Sequence, residues 1–186
     1  MQSLSAVFGT MNSTLTSSAA KYLESISVLI IDDNQFMRKL VRNQLVNIGV
    51  KSVHEAVDGV AGLEAIRSLS PDIVVLDWEM PFLNGAELVR IVRSPGVFPF
   101  PDIPIIILSG YCERWRVIEA MRLGANEFLK KPISAKALLD RLLCIMAKPR
   151  PMVKSSNYYG PKPRNVFLDA TKRIKPPSAA AVRSGH

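Results

Sequence analysis

The stretch VLIIDD, from Val28 to Asp33, joins an apolar run to two adjacent carboxylates, and IVVLD, from Ile73 to Asp77, ends in a third. Short runs that are apolar throughout are typical of strands buried on both faces of a parallel sheet. If both runs belong to one parallel sheet, Asp32, Asp33 and Asp77 crowd one edge of it. Such a cluster repels itself unless it is protonated or holds a metal. The sequence therefore predicts a functional site at this edge.

The same alternation of apolar runs and helical segments continues on both sides of these two stretches. Strand-like runs occur at residues 28–31, 52–57, 73–76, 103–108 and 127–130. The segments that follow them carry apolar residues at helical spacing, and Asp58 and Ser134 are plausible N-caps. Five strands alternating with five helices predict an α/β fold in which helices cover both faces of a parallel sheet. In such sheets, the site lies beyond the carboxyl ends of the strands.

Two further strand ends carry polar residues. IPIIILSG places Ser109 after the fourth apolar run, and FLKKP places Lys131 directly before Pro132. A single Asp at a strand end is usually a turn or cap residue, and Ser109-Gly110 alone is typical of an ordinary turn. Three acids at matched strand ends with a downstream lysine make those readings improbable. A carboxylate trio, a hydroxyl and a lysine are the groups needed to move a phosphoryl group onto an aspartate.

The four motifs IDDN, LDWEMPFLNG, ILSG and FLKKP, in this order, closely resemble the receiver domains of two-component response regulators. The resemblance covers roughly residues 26–147. It implies a flavodoxin-like fold in which the five parallel strands have the order 2-1-3-4-5. Each motif alone would be weak, but four motifs at four strand ends are a specific signal.

The resemblance implies a role for each acidic residue. Asp77 is expected to be the phosphoacceptor. Mg²⁺ is the expected cofactor, because it takes few carboxylates and keeps waters and phosphate oxygens as its other ligands. Asp33, Asp77 and the backbone carbonyl of Glu79 are the expected direct metal ligands. Asp32 is expected to act through a bound water.

The resemblance also assigns the residues that respond to phosphorylation. Lys131 is expected to approach a phosphate oxygen as a compact cation, through a cis peptide bond to Pro132. Ser109 is expected to donate a hydrogen bond to another phosphate oxygen and, with Phe128, to act as a switch residue. Tyr111, which is large for its position, is expected with Glu79 to flank the route of water to the phosphoryl group.

The net charge lies at the C-terminal end of the 186-residue chain. Nine basic residues and one acidic residue lie from Lys148 onward, which accounts for the whole formal charge of +8. We therefore predict three parts: a flexible, Ser/Thr-rich arm over residues 1–25, the receiver domain over residues 26–147, and a basic, Pro-rich tail over residues 148–186. The tail is expected to be extended or disordered, so its removal should leave folding nearly unchanged.

Composition narrows the functional class. No apolar run approaches the length of a membrane span, and the first residues lack the pattern of a secretory signal. Cys112 and Cys144 lie far apart without a CxxC pattern, which indicates reduced thiols and a cytoplasmic location. The 39 residues from Lys148 to His186 are too few and too aperiodic for a winged-helix or cyclase output domain.

The resulting prediction is a single-domain response regulator, a switch rather than an enzyme. Its expected partners are a sensor histidine kinase or a histidine phosphotransfer protein, and an output protein that binds the helix from Arg114, the strand at Phe128 and the helix from Ser134. One alternative is a receiver whose tail binds nucleic acid or an anionic nucleotide through its dispersed basic residues. Another is an aspartyl phosphatase, which typically needs a second Asp where Glu79 stands.

Overall fold

A computed structural model describes residues 17–111 and 113–164 of the chain. Five parallel strands form one sheet in the order β2-β1-β3-β4-β5, as predicted. The strands are β1 (Ser27–Ile31), β2 (Ser52–Ala56), β3 (Ile73–Asp77), β4 (Ile105–Ser109) and β5 (Glu127–Lys130).

Six helices occur within the described residues, one more than the sequence predicts. They are α1 (Ser17–Ser25), α2 (Gln35–Asn47), α3 (Gly59–Leu69), α4 (Gly85–Val92), α5 (Arg114–Leu123) and α6 (Ala135–Ala147). Four of them begin where a side chain accepts a hydrogen bond from a backbone N–H of the first turn. The capping residues are Asn34, Asp58, Asn84 and Ser134, which confirms the two predicted caps.

Two apolar layers lie on the two faces of the sheet. Alternate strand residues such as Val28 and Ile30 pack with α1, α2 and α6, whereas Leu29 and Ile31 pack with α3, α4 and α5. The burial pattern explains why these strands have no polar alternation, since β3 and β4 are buried at every position. Because they are buried on both faces, β3 and β4 can present polar groups only at their ends.

The prediction of a flexible arm over residues 1–25 is wrong for residues 17–25. These residues form α1, in which Leu23 is fully buried in the core and Ala19 is also buried. The apolar spacing of Ala19, Tyr22, Leu23 and Ile26 carries the helical signal, which the surrounding serines and threonines obscured. Residues 1–16 lie outside the described part of the chain.

The prediction of an extended or disordered tail is also wrong where the structure describes the tail. Strands β6 (Met152–Ser155) and β7 (Tyr158–Pro161) form an antiparallel hairpin. The hairpin packs closely on the turn before β5, because a Cβ atom on Gly160 would come within 2.9 Å of the Gly124 Cα atom. Residues 165–186 lie outside the described part.

Three side chains bind this C-terminal segment to the domain. Arg150 donates to the backbone carbonyls of Ala125 and Asn126. The Tyr159 hydroxyl donates to the carboxylate of Asp102, and Arg164 pairs with the buried carboxylate of Glu127. The basic pattern of the tail concealed these contacts, because Arg150 and Arg164 bind particular residues of the domain.

Ending the chain after Lys148 should lower the free energy of unfolding by about 1–3 kcal/mol, because the carbonyls of residues 125 and 126 and the Glu127 carboxylate lose partners. Chemical denaturation would measure the loss. A chain that ends after Arg164 keeps the hairpin and is the matched control, which should retain nearly full stability. Equal stability of the Lys148-terminated and full-length chains would contradict the structural role of the hairpin.

Candidate functional site

The carboxyl ends of four strands bring the predicted site residues to one edge of the sheet. Asp32 follows β1 directly, and Asp77 and Ser109 are the last residues of β3 and β4. Lys131 follows β5, whose last residue, Lys130, pairs with Ser109 in the register of the sheet. The predicted convergence of Asp32, Asp77, Ser109 and Lys131 is therefore observed.

The three carboxylates form a compact cluster. One oxygen of each of Asp32, Asp33 and Asp77 lies within 4.8 Å of the others. Asp32 is fully buried and Asp77 is buried, whereas Asp33 is exposed to solvent. The backbone N–H of Asn34 donates to Asp32 Oδ1 at 2.9 Å and orients that carboxylate. The cluster thus has a buried floor and one open side.

Lys131 joins the two buried carboxylates. Its Nζ atom lies 2.8 Å from Asp32 Oδ2 and 3.0 Å from Asp77 Oδ1. Burial by itself lowers the pKa of the ammonium, but the hydrogen bonds and charges of both carboxylates outweigh it, so the pKa is raised. Lys131 therefore stays charged, and the peptide bond to Pro132 is cis, as predicted.

Asp77 has a strongly perturbed carboxyl group. Burial is the largest cause and raises its pKa to about 6, with the nearby Asp32 carboxylate acting in the same direction. The Lys131 ammonium and the backbone N–H of Glu79 lower the pKa but only partly offset burial. Asp77 thus combines burial, a raised pKa and a position at the carboxyl end of β3, which makes it a candidate for the reactive group.

The donor set fits Mg²⁺. Its members are hard carboxylate oxygens, the ligand type that Mg²⁺ prefers, and one oxygen of each residue lies within 4.8 Å of the others. The exposed Asp33 leaves a solvent side where waters can complete an octahedral shell. Asp32, Asp33 and Asp77 are the residues that would hold the ion, and the backbone carbonyl of Glu79 stays a predicted ligand.

Gly85 lets the loop after β3 close tightly behind Asp77. A Cβ atom at this position would lie 2.6 Å from the Asp77 carbonyl oxygen and 2.9 Å from the Trp78 Cα atom. The Gly85 N–H instead donates to the Trp78 carbonyl at 3.0 Å, and Asn84 caps α4. Any side chain at residue 85 would displace the backbone that carries Asp77.

Arg38 is a site residue that sequence reasoning missed. Its Nη1 atom donates to the backbone carbonyls of Asp32 at 2.8 Å and Asp33 at 3.2 Å, and its Nε atom lies 3.4 Å from Glu55. Arg38 is buried, so it holds the acidic loop from beneath. The only sequence signal for this role is the position of Arg38 on the inward face of α2. That position does not reveal which backbone carbonyls the arginine contacts in the folded protein.

Arg116 is a second residue that the sequence did not reveal. It lies in the first turn of α5 and pairs with Glu79 at 2.9 Å. Its guanidinium also lies 4.8 Å from the centre of the Tyr111 ring. Arg116 thus links the loop after β3 with the loop after β4.

The two predicted switch residues lie in different surroundings. Ser109 is fully buried, and its Oγ atom accepts a hydrogen bond from the Tyr111 backbone N–H at 3.1 Å. Phe128 lies within β5, paired with Ile107, and packs on the layer that contains α3, α4 and α5. Phe128 therefore belongs to the sheet and not to the carboxylate cluster, and its switch role stays a prediction.

Within residues 17–111 and 113–164, no helix is both long enough and apolar enough to cross a bilayer.

Comparison with known proteins places the chain among signalling domains. The family model of the response regulator receiver domain matches residues 28–143. The chain is 31% identical over 119 residues to chemotaxis protein CheY-3 of Vibrio cholerae, covering 64% of this chain and 90% of that protein. It is 32% identical over 117 residues to chemotaxis protein CheY of Pseudomonas aeruginosa, covering 63% and 93% respectively.

Solved structures show the same likeness. The receiver domain of the Francisella response regulator 1452 has a TM-score of 0.61 at 28% identity, covering 68% of this chain and all of that domain. The chemotaxis protein CheY4 of Vibrio cholerae has a TM-score of 0.57 at 30% identity, covering 63% of this chain and 96% of that one. In all these comparisons the relatives are covered almost completely.

The raised pKa of Asp77 predicts how stability depends on pH without divalent metal. Between about pH 4 and pH 6, the folded chain binds this proton more tightly than the unfolded chain, so the stabilisation from Asp77 is lost as the pH rises through 6. Asp77→Asn should therefore raise the free energy of unfolding at about pH 7.5 by on the order of 1–3 kcal/mol, with a gain that vanishes near pH 4.

Urea denaturation with EDTA across this pH range would measure the gain. Asp33→Asn, at the exposed member of the cluster, is the control and should stabilise the fold much less. A gain for Asp77→Asn that is as large at pH 4 as at neutral pH would contradict the assignment.

Proposed function

The chain belongs to the response regulator receiver domain family, and we propose that it accepts a phosphoryl group on Asp77 and then signals through contacts with another protein. Members of this family are phospho-accepting signalling switches of two-component systems and not conventional enzymes. The observation that carries the proposal is the position of Lys131, which bridges the buried Asp32 and Asp77 beside an exposed Asp33. This arrangement provides a nucleophile, a fixed cation and a metal-binding set.

In the proposed reaction, the Asp77 carboxylate attacks the phosphorus of a phosphohistidine on a kinase or phosphotransfer protein. The P–O bond forms as the P–N bond breaks, and the electron pair remains on the imidazole nitrogen, which takes up a proton. Because the pKa of Asp77 is about 6, the carboxyl is mostly ionised near neutral pH and can act as the nucleophile. Mg²⁺, when bound, offsets the negative charge of the carboxylates and of the transferring group.

Lys131 and Ser109 are the proposed detectors of the phosphoryl group. Lys131 already contacts Asp77 at 3.0 Å, so its ammonium can reach an oxygen of a group attached there. The Lys131 backbone N–H donates to the Ser109 carbonyl at 2.8 Å, which connects the two strand ends. Ser109 would turn its hydroxyl to the phosphoryl group, and Phe128 would respond within β5.

The proposed partners are a sensor histidine kinase or histidine phosphotransfer protein, and an output protein that recognises α5, β5 and α6. The likeness to chemotaxis proteins supports a role as a diffusing switch in the cytoplasm, because the matched region covers at least 90% of each of those relatives. The nucleic-acid alternative is not favoured by any described contact. Arg150 and Arg164 bind carbonyls and a carboxylate of the domain itself.

Incubation with Mg²⁺ and acetyl phosphate, or with a phosphorylated kinase, should add one phosphoryl group that is labile to base. Mass spectrometry after borohydride reduction should locate it on Asp77, and Asp77→Asn should abolish it because the nucleophile is lost. Asp72→Asn removes a carboxylate at the opposite end of β3 and is the matched control. Labelling that persists in Asp77→Asn, or that proceeds without a divalent metal, would refute the proposal.

Replacing Lys131 should separate phosphorylation from its structural consequence. Lys131→Ala should still accept the phosphoryl group, at a rate lowered by on the order of tenfold, because one cation is lost beside the developing charge. The phosphorylation-dependent change in hydrogen exchange of β4 and β5 should disappear. Lys130→Ala, at the exposed neighbouring residue, is the control and should behave as wild type. An intact exchange response in Lys131→Ala would remove Lys131 from the switch.

A further inference from the structure

Arg116 makes a dense set of contacts for a residue at a domain surface. Its Nη1 atom lies 2.9 Å from Glu79 Oε1, and its Nε atom lies 3.3 Å from Glu113 Oε2. The guanidinium is 4.8 Å from the ring centre of Tyr111 and 4.9 Å from that of Trp115. Only 22% of the side chain is exposed, so these four partners hold it in one place.

Two of these partners are directly connected to the proposed phosphorylation site. Glu79 lies two residues after Asp77, and its backbone N–H lowers the pKa of the Asp77 carboxyl. Tyr111 lies two residues after Ser109, and its backbone N–H donates to Ser109 Oγ at 3.1 Å. The strands that precede these loops are neighbours, with Asp77 paired to Leu108. Arg116 therefore connects the loop that continues from Asp77 with the loop that follows the neighbouring strand β4.

The contacts of Arg116 with Glu79 and Tyr111 are weak enough individually to form and break while the protein stays folded. An ion pair with a partly exposed carboxylate and a cation–π contact each contribute modestly. Arginine suits both at once, because its planar guanidinium can stack on a ring while its edge donates to a carboxylate. Lysine could keep the attraction to Glu79 but would lose the planar stacking.

We propose that Arg116 is a positioning residue that latches the Glu79 loop to the Tyr111 loop and thereby sets how fast water hydrolyses the phosphoryl group on Asp77. This inference rests on the proposed phosphorylation of Asp77. In the hydrolysis step, a water oxygen attacks phosphorus, the P–O bond to Asp77 breaks, the carboxylate is regained, and phosphate leaves as the water gives up a proton. The attacking water comes from the solvent side, where the closed latch narrows the opening between the two loops.

The test follows the decay of full-length protein labelled on Asp77, after removal of the phosphodonor. Arg116→Ala should shorten the phosphorylated half-life roughly three- to tenfold, because the two contacts that join the loops, the ion pair with Glu79 and the ring contact with Tyr111, are lost. Arg116→Lys should give an intermediate half-life. Arg114→Ala removes the same charge from an exposed position of the same helix turn and should leave the half-life unchanged.

A double-mutant cycle separates latching from a general structural effect. Glu79→Gln weakens the same ion pair as Arg116→Ala. In the double variant Arg116→Ala/Glu79→Gln, the label on Asp77 should therefore decay at most about twofold faster than in the single variant with the faster decay. Multiplicative effects would overturn the latch, as would an unchanged or longer half-life in Arg116→Ala. If Arg116→Ala does not fold, as judged by thermal unfolding, Arg116→Lys and Glu79→Gln carry the test, and both must decay faster than wild type.

The two proposals fail in different ways. If wild-type protein takes no label on Asp77, the proposed function is wrong. If wild-type protein is labelled but Arg116→Ala decays at the wild-type rate, only the latch is wrong.

Discussion

The bridge from Lys131 to Asp32 and Asp77 is the interaction on which the site depends. Three carboxylates at one sheet edge repel each other, and two of them are buried, where repulsion is strong. The ammonium at 2.8 Å and 3.0 Å from the two buried carboxylates offsets part of this cost. The pKa of Asp77 remains raised to about 6, so the compensation is incomplete. This remaining negative charge is consistent with the proposed binding of a divalent cation, which would offset it.

The scaffold around this bridge has to hold four strand ends in fixed positions. Parallel strands buried on both faces leave their carboxyl ends as the place where polar groups can face solvent. Gly85 allows the β3 loop to lie against the backbone of Asp77 and Trp78, where any side chain would clash. Arg38 holds the carbonyls of Asp32 and Asp33 from below. Contacts with the backbone therefore position the acidic residues, and these contacts do not involve the carboxylates that carry the charge.

The segments beyond the family match add to the domain at two places. Helix α1 buries Leu23 against the layer that also contains residues of α2 and α6. The β6–β7 hairpin covers the turn before β5, where Gly124 and Gly160 approach closely. The pairing of Arg164 with Glu127 connects this segment to the residue directly before Phe128. The hairpin is thus attached at the end of the sheet opposite Asp77 and leaves the carboxylate edge open.

The sequence by itself determined the five strands of the sheet, the helices that follow them and the residues that meet at the sheet edge, because hydrophobic periodicity and capping residues are local properties. Continuous apolar runs indicated β1, β3 and β4, and the capping residues Asp58 and Ser134 indicated where two helices begin. Acidic residues at strand ends indicated the position of the carboxylate cluster. Only the tertiary structure decided the roles of Arg38, Arg116 and the hairpin. A basic side chain looks alike in sequence whether it is solvated or binds one carbonyl, because the sequence does not show which groups the fold brings next to it. Charge composition therefore misrepresented Arg150 and Arg164, because an ion pair depends on which surfaces the folded chain brings together.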